Sequence, residues 1–254
     1  MQQRWPDRLW IVRHGESAGN VARDAAQAAK LARIDIDHRD VDVPLSPLGE
    51  EQSDSLGRWF QAMPEQTRPD VLLVSPYERA RQTADRIRTQ GGLAPDAVGP
   101  VQDERLREKE FGVLDRLTRY GIAQDHPEQA EFRRLLGKFY HRPPGGESWC
   151  DVILRLRSLL DTVSLHYAGR RVLIVGHQVV VLCMRYLLEE LDEAGILAID
   201  REGDVVNCGV TEYGFDAAAG PTGGLVLRRY NLAAPLPREG TPVTAEPDPQ
   251  VAVR

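Results

Sequence analysis

The chain has 254 residues, of which 42% are hydrophobic, enough for one large α/β domain or two small ones with a sizeable core. Its formal net charge of −6 argues against a polyanion-binding surface, so nucleic acid is not an expected partner, while a local basic pocket for a small anion stays open. Three cysteines, Cys150, Cys183 and Cys208, lie far apart without CxxC or Cys/His spacing and indicate neither a zinc site nor a disulfide framework. No signal peptide or run of transmembrane length is visible, so no membrane partner and a cytoplasmic location are the default expectations.

Leu9-Trp-Ile-Val12 is a short apolar run that predicts a buried strand, with Arg13 and His14 at its carboxyl end. Gly15 predicts a sharp turn there, and Ser17 and Asn20 offer small polar groups to phosphate oxygens. An alanine-rich helix from residue 21 gives way to an acidic loop that ends at residue 43 near the mouth of a site, expected to be mainly solvated, with screening or selection of substrates by its acidic residues as the alternative. Ser46 with Pro47 predicts the start of a helix that runs to about Gln61 and buries Leu48, Leu56, Trp59 and Phe60. Asp70 to Ser75 is the second buried strand, and the helix after it carries Arg79, Arg81 and Arg86 and stops at Gly91-Gly92. Those arginines cannot all face one pocket, because positions two apart on a helix point in different directions.

The charge run from Asp103 to Glu110 holds Glu104, Glu108 and Glu110, and the residue pattern alone does not choose among them. His126-Pro127 opens a helix bearing Arg133, Arg134 and Lys138, and Ser148 caps another that extends through Val163. Gly169 releases the chain into the third apolar strand, Arg171 to Gly176, where His177 follows a strand end as His14 does. Gln178 to Leu188 reads as a buried helix, and residues 207–213 and 224–230 as a hairpin. Residues 1–234 are expected to form the domain and residues 235–254 a loosely ordered tail.

Strands that are apolar throughout predict an α/β fold, a three-layer α/β/α sandwich with a mostly parallel sheet. Such sheets bind ligands at the carboxyl ends of their strands. No GxGxxG follows the first strand and neither DxDxT nor CxxxxxR occurs, which leaves histidine as the nucleophile candidate.

Arg13-His14-Gly15-Glu16-Ser17 with Asn20, Ser75-Pro-Tyr-Glu-Arg79 through Thr83, Leu106-Arg-Glu108 before Phe111-Gly112, and Gly176-His177-Gln178 resemble the histidine phosphatase superfamily, which includes the cofactor-dependent phosphoglycerate mutases. The motifs keep the family's order over roughly residues 8 to 215. The resemblance implies a phosphoglycerate mutase-like fold and a catalytic set of Arg13, His14, Arg79, Glu108 and His177, and it selects Glu108 as the acid. The region from Lys138 to Ser148 resembles the phosphatase domain of the bifunctional fructose-2,6-bisphosphate enzyme, which implies Arg134 and Lys138 as substrate-binding residues. The departures are Val113-Leu-Asp for Trp-Glu-Gly, Arg119 for a tyrosine, Leu182 for an arginine and Gly209 for a serine. In the mutase register, Arg119 and the Arg133-Arg134 pair align with carboxylate-binding arginines, but only thirteen residues separate Arg134 from Ser148, which resembles the shorter phosphatases.

The expected function is therefore a metal-independent phosphomonoesterase that acts on a small phosphorylated metabolite through a phosphohistidine, with no cofactor. Ser17, Asn20, Arg119, Arg134, Lys138 and Gln178 are the expected substrate contacts. The alternatives are a cofactor-dependent phosphoglycerate mutase and, in another class, a catalytically silent binding protein; a homodimer is compatible with each.

Overall fold

Alternation along the strands builds the molecule. In a computed structural model that describes residues 3–93, 99–233 and 235–245, β1 (Arg8–Arg13) sends Leu9 and Ile11 to one face and Trp10 and Val12 to the other, and all four are fully buried. That is the period-two geometry of a strand covered on both sides. β2 (Val71–Val74) and β4 (Arg171–Gly176) repeat the pattern. With a two-residue edge strand β3 (Val101–Gln102), β5 (Val210–Asp216) and β6 (Gly224–Leu232), they form one sheet in the order β3-β2-β4-β1-β5-β6. The β3, β2, β4 and β1 neighbours are parallel, and β5 and β6 join antiparallel.

Two layers of helices cover this sheet, as the three-layer sandwich requires. α2 (Pro47–Gln61) and α3 (Glu78–Gln90) place Leu56, Phe60, Ala80, Ala84 and Ile87 against Trp10, Val12 and Val175. On the opposite face α6 (Trp149–His166) and α7 (Gln178–Leu188) bury Trp149, Leu156, Leu159, Val180 and Leu182 against Leu9, Ile11 and Ile174. Each leucine, isoleucine, valine or phenylalanine among them contributes about 1.5 to 3 kcal/mol by leaving water. Leu48 and Trp59, expected in the core, are only partly buried, because α2 turns their edge toward solvent.

The capping signals were obeyed. Ser46 accepts from Gly49 N at 3.0 Å with Pro47 in the first turn, and Ser148 forms a capping box with Asp151. α1 (Ala18–Ala28) begins earlier than the alanine run because Ser17 and Asn20 form a capping box of their own. α4 (Arg119–Asp125) and α5 (Pro127–Tyr140) follow β3 in the chain, with α5 packed on α6, and α8 (Glu193–Glu202) follows α7 and packs on it. α5 is kinked at Gly137, whose φ of 76° is left-handed, so Arg134 and Lys138 do not share one helical face.

The first part of the stretch expected as a loose tail is held to the body. A short turn, α9 (Pro235–Arg238), buries Leu236 in the α2/α3 layer. Gln52 Nε2 donates to Pro242 O at 3.1 Å and to Thr244 Oγ1 at 2.9 Å, and Ser55 Oγ lies 2.7 Å from Thr241 Oγ1. Leu236 and these hydroxyls supply the partners that the proline-rich composition concealed; residues 246–254 lie outside the described residues.

Candidate active site

Arg13 ends β1, and His14 follows it with its backbone N–H on Gly176 O at 2.9 Å, so the parallel pairing of β1 with β4 sets the start of the loop. Gly15 is required for proximity: a Cβ would stand 2.5 Å from Gly49 O, and one on Gly49 would stand 1.9 Å from Glu16 O. The sharp-turn expectation for Gly15 is replaced by this backbone contact with α2, since its φ is not left-handed. The loop is fixed on every side. Gly15 N donates to Thr83 Oγ1 at 3.0 Å, Glu16 N to Gln52 Oε1 at 2.9 Å, Ser46 Oγ to Glu16 Oε1 at 2.6 Å, and Asn207 Nδ2 to His14 O at 3.1 Å.

The ring of His14 is buried, with Nδ1 2.7 Å from Gly15 O and Nε2 accepting from Arg79 Nε at 3.2 Å. A carbonyl can only accept, so Nδ1 carries the proton and Nε2 keeps its lone pair. Burial first, and then the charges of Arg79 and Arg13, hold His14 well below the ordinary histidine pKa. Its ring meets that of His177 edge to face, with centroids 5.2 Å apart.

His177 caps the entry to α7 and is fully buried. Its Nε2 lies 2.7 Å from Ser75 Oγ, and its Nδ1 has no hydrogen-bond partner and stands 3.7 Å from Glu108 Oε2. Burial and the charge of Arg79 hold this histidine neutral too. Tyr77 packs its ring on His177 at 5.1 Å and beneath the Arg79 guanidinium at 4.9 Å. Burial and the carboxylates of Asp40, Glu110 and Glu108 raise its phenol pKa far above the ordinary range.

Glu108 reaches the site from the loop after Leu106. Arg155 donates to Arg105 O and to Glu108 O, and Glu147 ties Arg155 to Arg107. Arg13 donates to Gln178 Oε1 at 3.1 Å and to Val205 O, and Gln178 Nε2 donates to Asp204 Oδ1 at 2.9 Å.

The structure thus brings Arg13, His14, Arg79, Glu108 and His177 to one end of the sheet. The expected substrate contacts divide. Gln178 sits beside Arg13 and orients it, while Ser17 and Asn20 are buried next to the loop and spend Ser17 Oγ and Asn20 Oδ1 on the α1 cap. Arg119 lies over its neighbour Tyr120 and donates to its hydroxyl at 2.9 Å. Exposed Arg134 is paired with Glu131, and Lys138 is bound to Asp200 at 2.7 Å.

Sequence reasoning missed Ser75, Tyr77 and above all Asp40. Asp40 starts a short turn, Asp40–Asp42, inside the 21–43 segment expected to be solvated. Arg79 Nη1 donates to Asp40 O at 2.6 Å and lies 3.1 Å from its Oδ1. A tract without period gives no signal for such a contact. Among the described residues no group of three or more His, Cys, Asp or Glu side chains could hold a metal ion.

The profile of the histidine phosphatase superfamily, branch 1, matches residues 9–222, which takes in each of these residues. The chain belongs to this family. A probable phosphoglycerate mutase of Yersinia enterocolitica is 30% identical over 179 residues, covering 70% of this chain and 72% of that protein. A phosphoglycerate mutase-like protein of Arabidopsis thaliana is 31% identical over 166 residues, and the match takes in 62% of this chain and 53% of the relative, so the chain spans about half of that protein's length. The solved structure of a mycobacterial glucosyl-3-phosphoglycerate phosphatase with VO3 superposes with a TM-score of 0.67 at 25% identity, covering 89% of this chain and 98% of the other. Membership accounts for the shared order of the histidine phosphatase motifs along the strand ends.

Proposed function

We propose that the chain is a metal-independent phosphomonoesterase that acts on a small phosphorylated metabolite through a phosphohistidine at His14. The observation that carries this reading is the tautomer of His14, whose proton is directed at Gly15 O while Nε2 keeps a lone pair facing Arg79. Attack by Nε2 forms the N–P bond as the ester P–O bond breaks, and the leaving oxygen takes a proton from Glu108. Glu108, then a carboxylate, accepts a proton from water as that water attacks phosphorus, which restores His14 and releases orthophosphate. Arg13, Arg79 and the Nδ1 side of His177 stabilise the phosphoryl oxygens, and their charge is effective because the site is buried.

Ser17, Asn20 and Gln178 are proposed to line the phosphoryl site. Arg119, Arg134 and Lys138 are proposed as contacts for the rest of the substrate, for which Arg134 and Lys138 exchange Glu131 and Asp200 for a ligand anion. Hydrolysis is favoured over isomerisation by the short link from Arg134 to Ser148 and by likeness to a solved phosphatase across nearly its whole length. The 30% identity to a probable phosphoglycerate mutase supports the second reading. A cytoplasmic location is part of the proposal, since Cys150, Cys183 and Cys208 are free thiols, as a reducing compartment would keep them. No helix among the described residues is long and apolar enough to cross a membrane.

The test is incubation with 3-phosphoglycerate, trace 2,3-bisphosphoglycerate and a panel of phosphorylated sugars, with orthophosphate and 2-phosphoglycerate followed together. Orthophosphate release without efficient isomerisation is expected. Formation of 2-phosphoglycerate about a hundredfold faster than phosphate release, a gap of roughly 2.7 kcal/mol in barrier, would make the protein a mutase.

A further inference from the structure

We infer that Asp40 is an internal anion that occupies Arg79 until a phosphomonoester displaces it, which makes Asp40 a determinant of which esters are turned over. The inference rests on the phosphatase reading above and adds to it a residue that the catalytic motifs do not contain.

All three nitrogens of the Arg79 guanidinium have protein partners. Its Nε donates to His14 Nε2 at 3.2 Å, its Nη1 donates to Asp40 O at 2.6 Å and lies 3.1 Å from Oδ1, and its Nη2 is 3.4 Å from Oδ2. The two carboxylate oxygens of Asp40 therefore stand along the guanidinium edge, the geometry in which such a fork holds two oxygens of a phosphoryl group. The Arg79 side chain is only 6% exposed, so a second anion cannot take that edge while Asp40 remains.

The two partners are unequal in the way an exchange needs. Arg79 is buried on α3, with Tyr77 beneath it, and stays in place. Asp40 is 37% exposed on the short turn Asp40–Asp42, so its carboxylate regains water when it leaves. Behind that turn the segment is anchored: Arg116 donates to Ile36 O at 3.2 Å and to His38 O at 2.7 Å, and Ile34 N donates to Arg116 O at 2.9 Å. Only the tip needs to move.

The consequence is a threshold. An anion that brings nothing but phosphoryl oxygens has to expel Asp40 with those contacts alone, whereas an ester whose leaving group finds contacts of its own has additional binding energy for the exchange. Orthophosphate and small aryl phosphates are thereby disfavoured relative to the metabolite, and the product is helped out as the carboxylate returns.

The experiment uses the full chain and its Asp40→Asn variant, with orthophosphate as a competitive inhibitor and p-nitrophenyl phosphate as a minimal substrate. Loss of the competing charge is expected to lower the inhibition constant of orthophosphate about tenfold, as suits a charged hydrogen bond. It should raise kcat/KM for p-nitrophenyl phosphate by a similar factor, mainly through KM. A part in holding Arg79 in place would move both quantities the other way. Arg116→Ala, which retains Asp40 and loosens its segment, is the companion variant should Asp40→Asn fold poorly, and it is expected to lower the same inhibition constant several-fold. Turnover by active variants with inhibition constants unchanged or raised overturns the inference and leaves the phosphatase reading intact. An absence of both turnover and orthophosphate binding in the unsubstituted chain and the variants overturns both.

Discussion

Arg79 Nε donates to His14 Nε2 at 3.2 Å, so the nitrogen proposed as nucleophile already faces the cation that is to hold the arriving phosphoryl group. Arg79→Ala removes that donor and the fork beside it. The expected loss in kcat/KM is about a hundredfold to a thousandfold, or roughly 3 to 4 kcal/mol, comparable to removing one preorganised donor to transition-state charge. Steady-state kinetics with a phosphomonoester checks this, and a loss below about tenfold counts against the role.

His14→Ala is expected to abolish the phosphoenzyme and to lower kcat by at least about a thousandfold. Acid-labile label should appear on the unsubstituted protein after rapid quench during turnover and be absent from the variant. Labelling that survives the substitution would assign the nucleophile elsewhere.

The Glu108 carboxylate stands 3.7 Å from His177 Nδ1, within the site, and accepts from Lys109 N at 2.7 Å. If it protonates the leaving oxygen, Glu108→Gln should slow alkyl phosphates by roughly a hundredfold or more, while a nitrophenyl ester, whose leaving group needs little protonation, suffers much less. Equal losses for both ester types would remove Glu108 from the role of acid.

Buried neutral histidines make the fold sensitive to acid. Burial, with the charges of Arg133 and Lys109, lowers the pKa of His141 to about 4, and His14 and His177 are also depressed. A depressed folded-state value means that the unfolded chain binds protons first. The stabilisation is complete above pH 6.5 and is lost as pH falls from there toward the folded values. For His141 alone the loss between pH 7 and pH 5 is about 2 kcal/mol. Urea denaturation at both values should show His141→Gln losing less stability on acidification than the unsubstituted chain; equal losses would refute the assignment.

The Thr244 hydroxyl accepts from Gln52 and donates to Asn207 Oδ1 at 3.0 Å, and Asn207 in turn supports His14 O. Thr244→Val leaves two buried amides short of a partner, so a stability loss of about 1 to 2 kcal/mol is expected. Because Asn207 steadies the nucleophile loop, kcat should also fall several-fold with KM little changed. Thermal melts and kinetics on one preparation separate the two effects.

The parallel core was legible because it is written in short-range chemistry. Apolar runs at Leu9, Val71 and Val172 have no polar face and must be covered twice, and Ser46, Ser148 and Gly91 punctuate the helices around them. The residues at the strand ends followed from that placement together with the motif order. What stayed hidden depends on long-range partners. Nothing in the sequence around Lys138 announces the Asp200 carboxylate that the fold brings against it, and the Gly137 kink that separates it from Arg134 leaves no mark in an otherwise helical pattern. The Asp40 contact was concealed because it is made by an irregular turn, and the 241–244 contacts because threonine and proline there meet glutamine and asparagine from distant segments.

The central place of β1 carries a consequence for how the protein is made. This strand is synthesised before the other strands of the sheet, yet its two neighbours, β4 and β5, come much later, and the side chains that brace His14 include Asn207, itself held by Thr244. On the ribosome the strand therefore waits with an unpaired backbone on both edges until the second half of the chain emerges. Its folding is governed by contacts between distant segments, which close slowly, and the apolar stretch Leu9 to Val12 is the part of the nascent chain most in need of protection from pairing with another molecule.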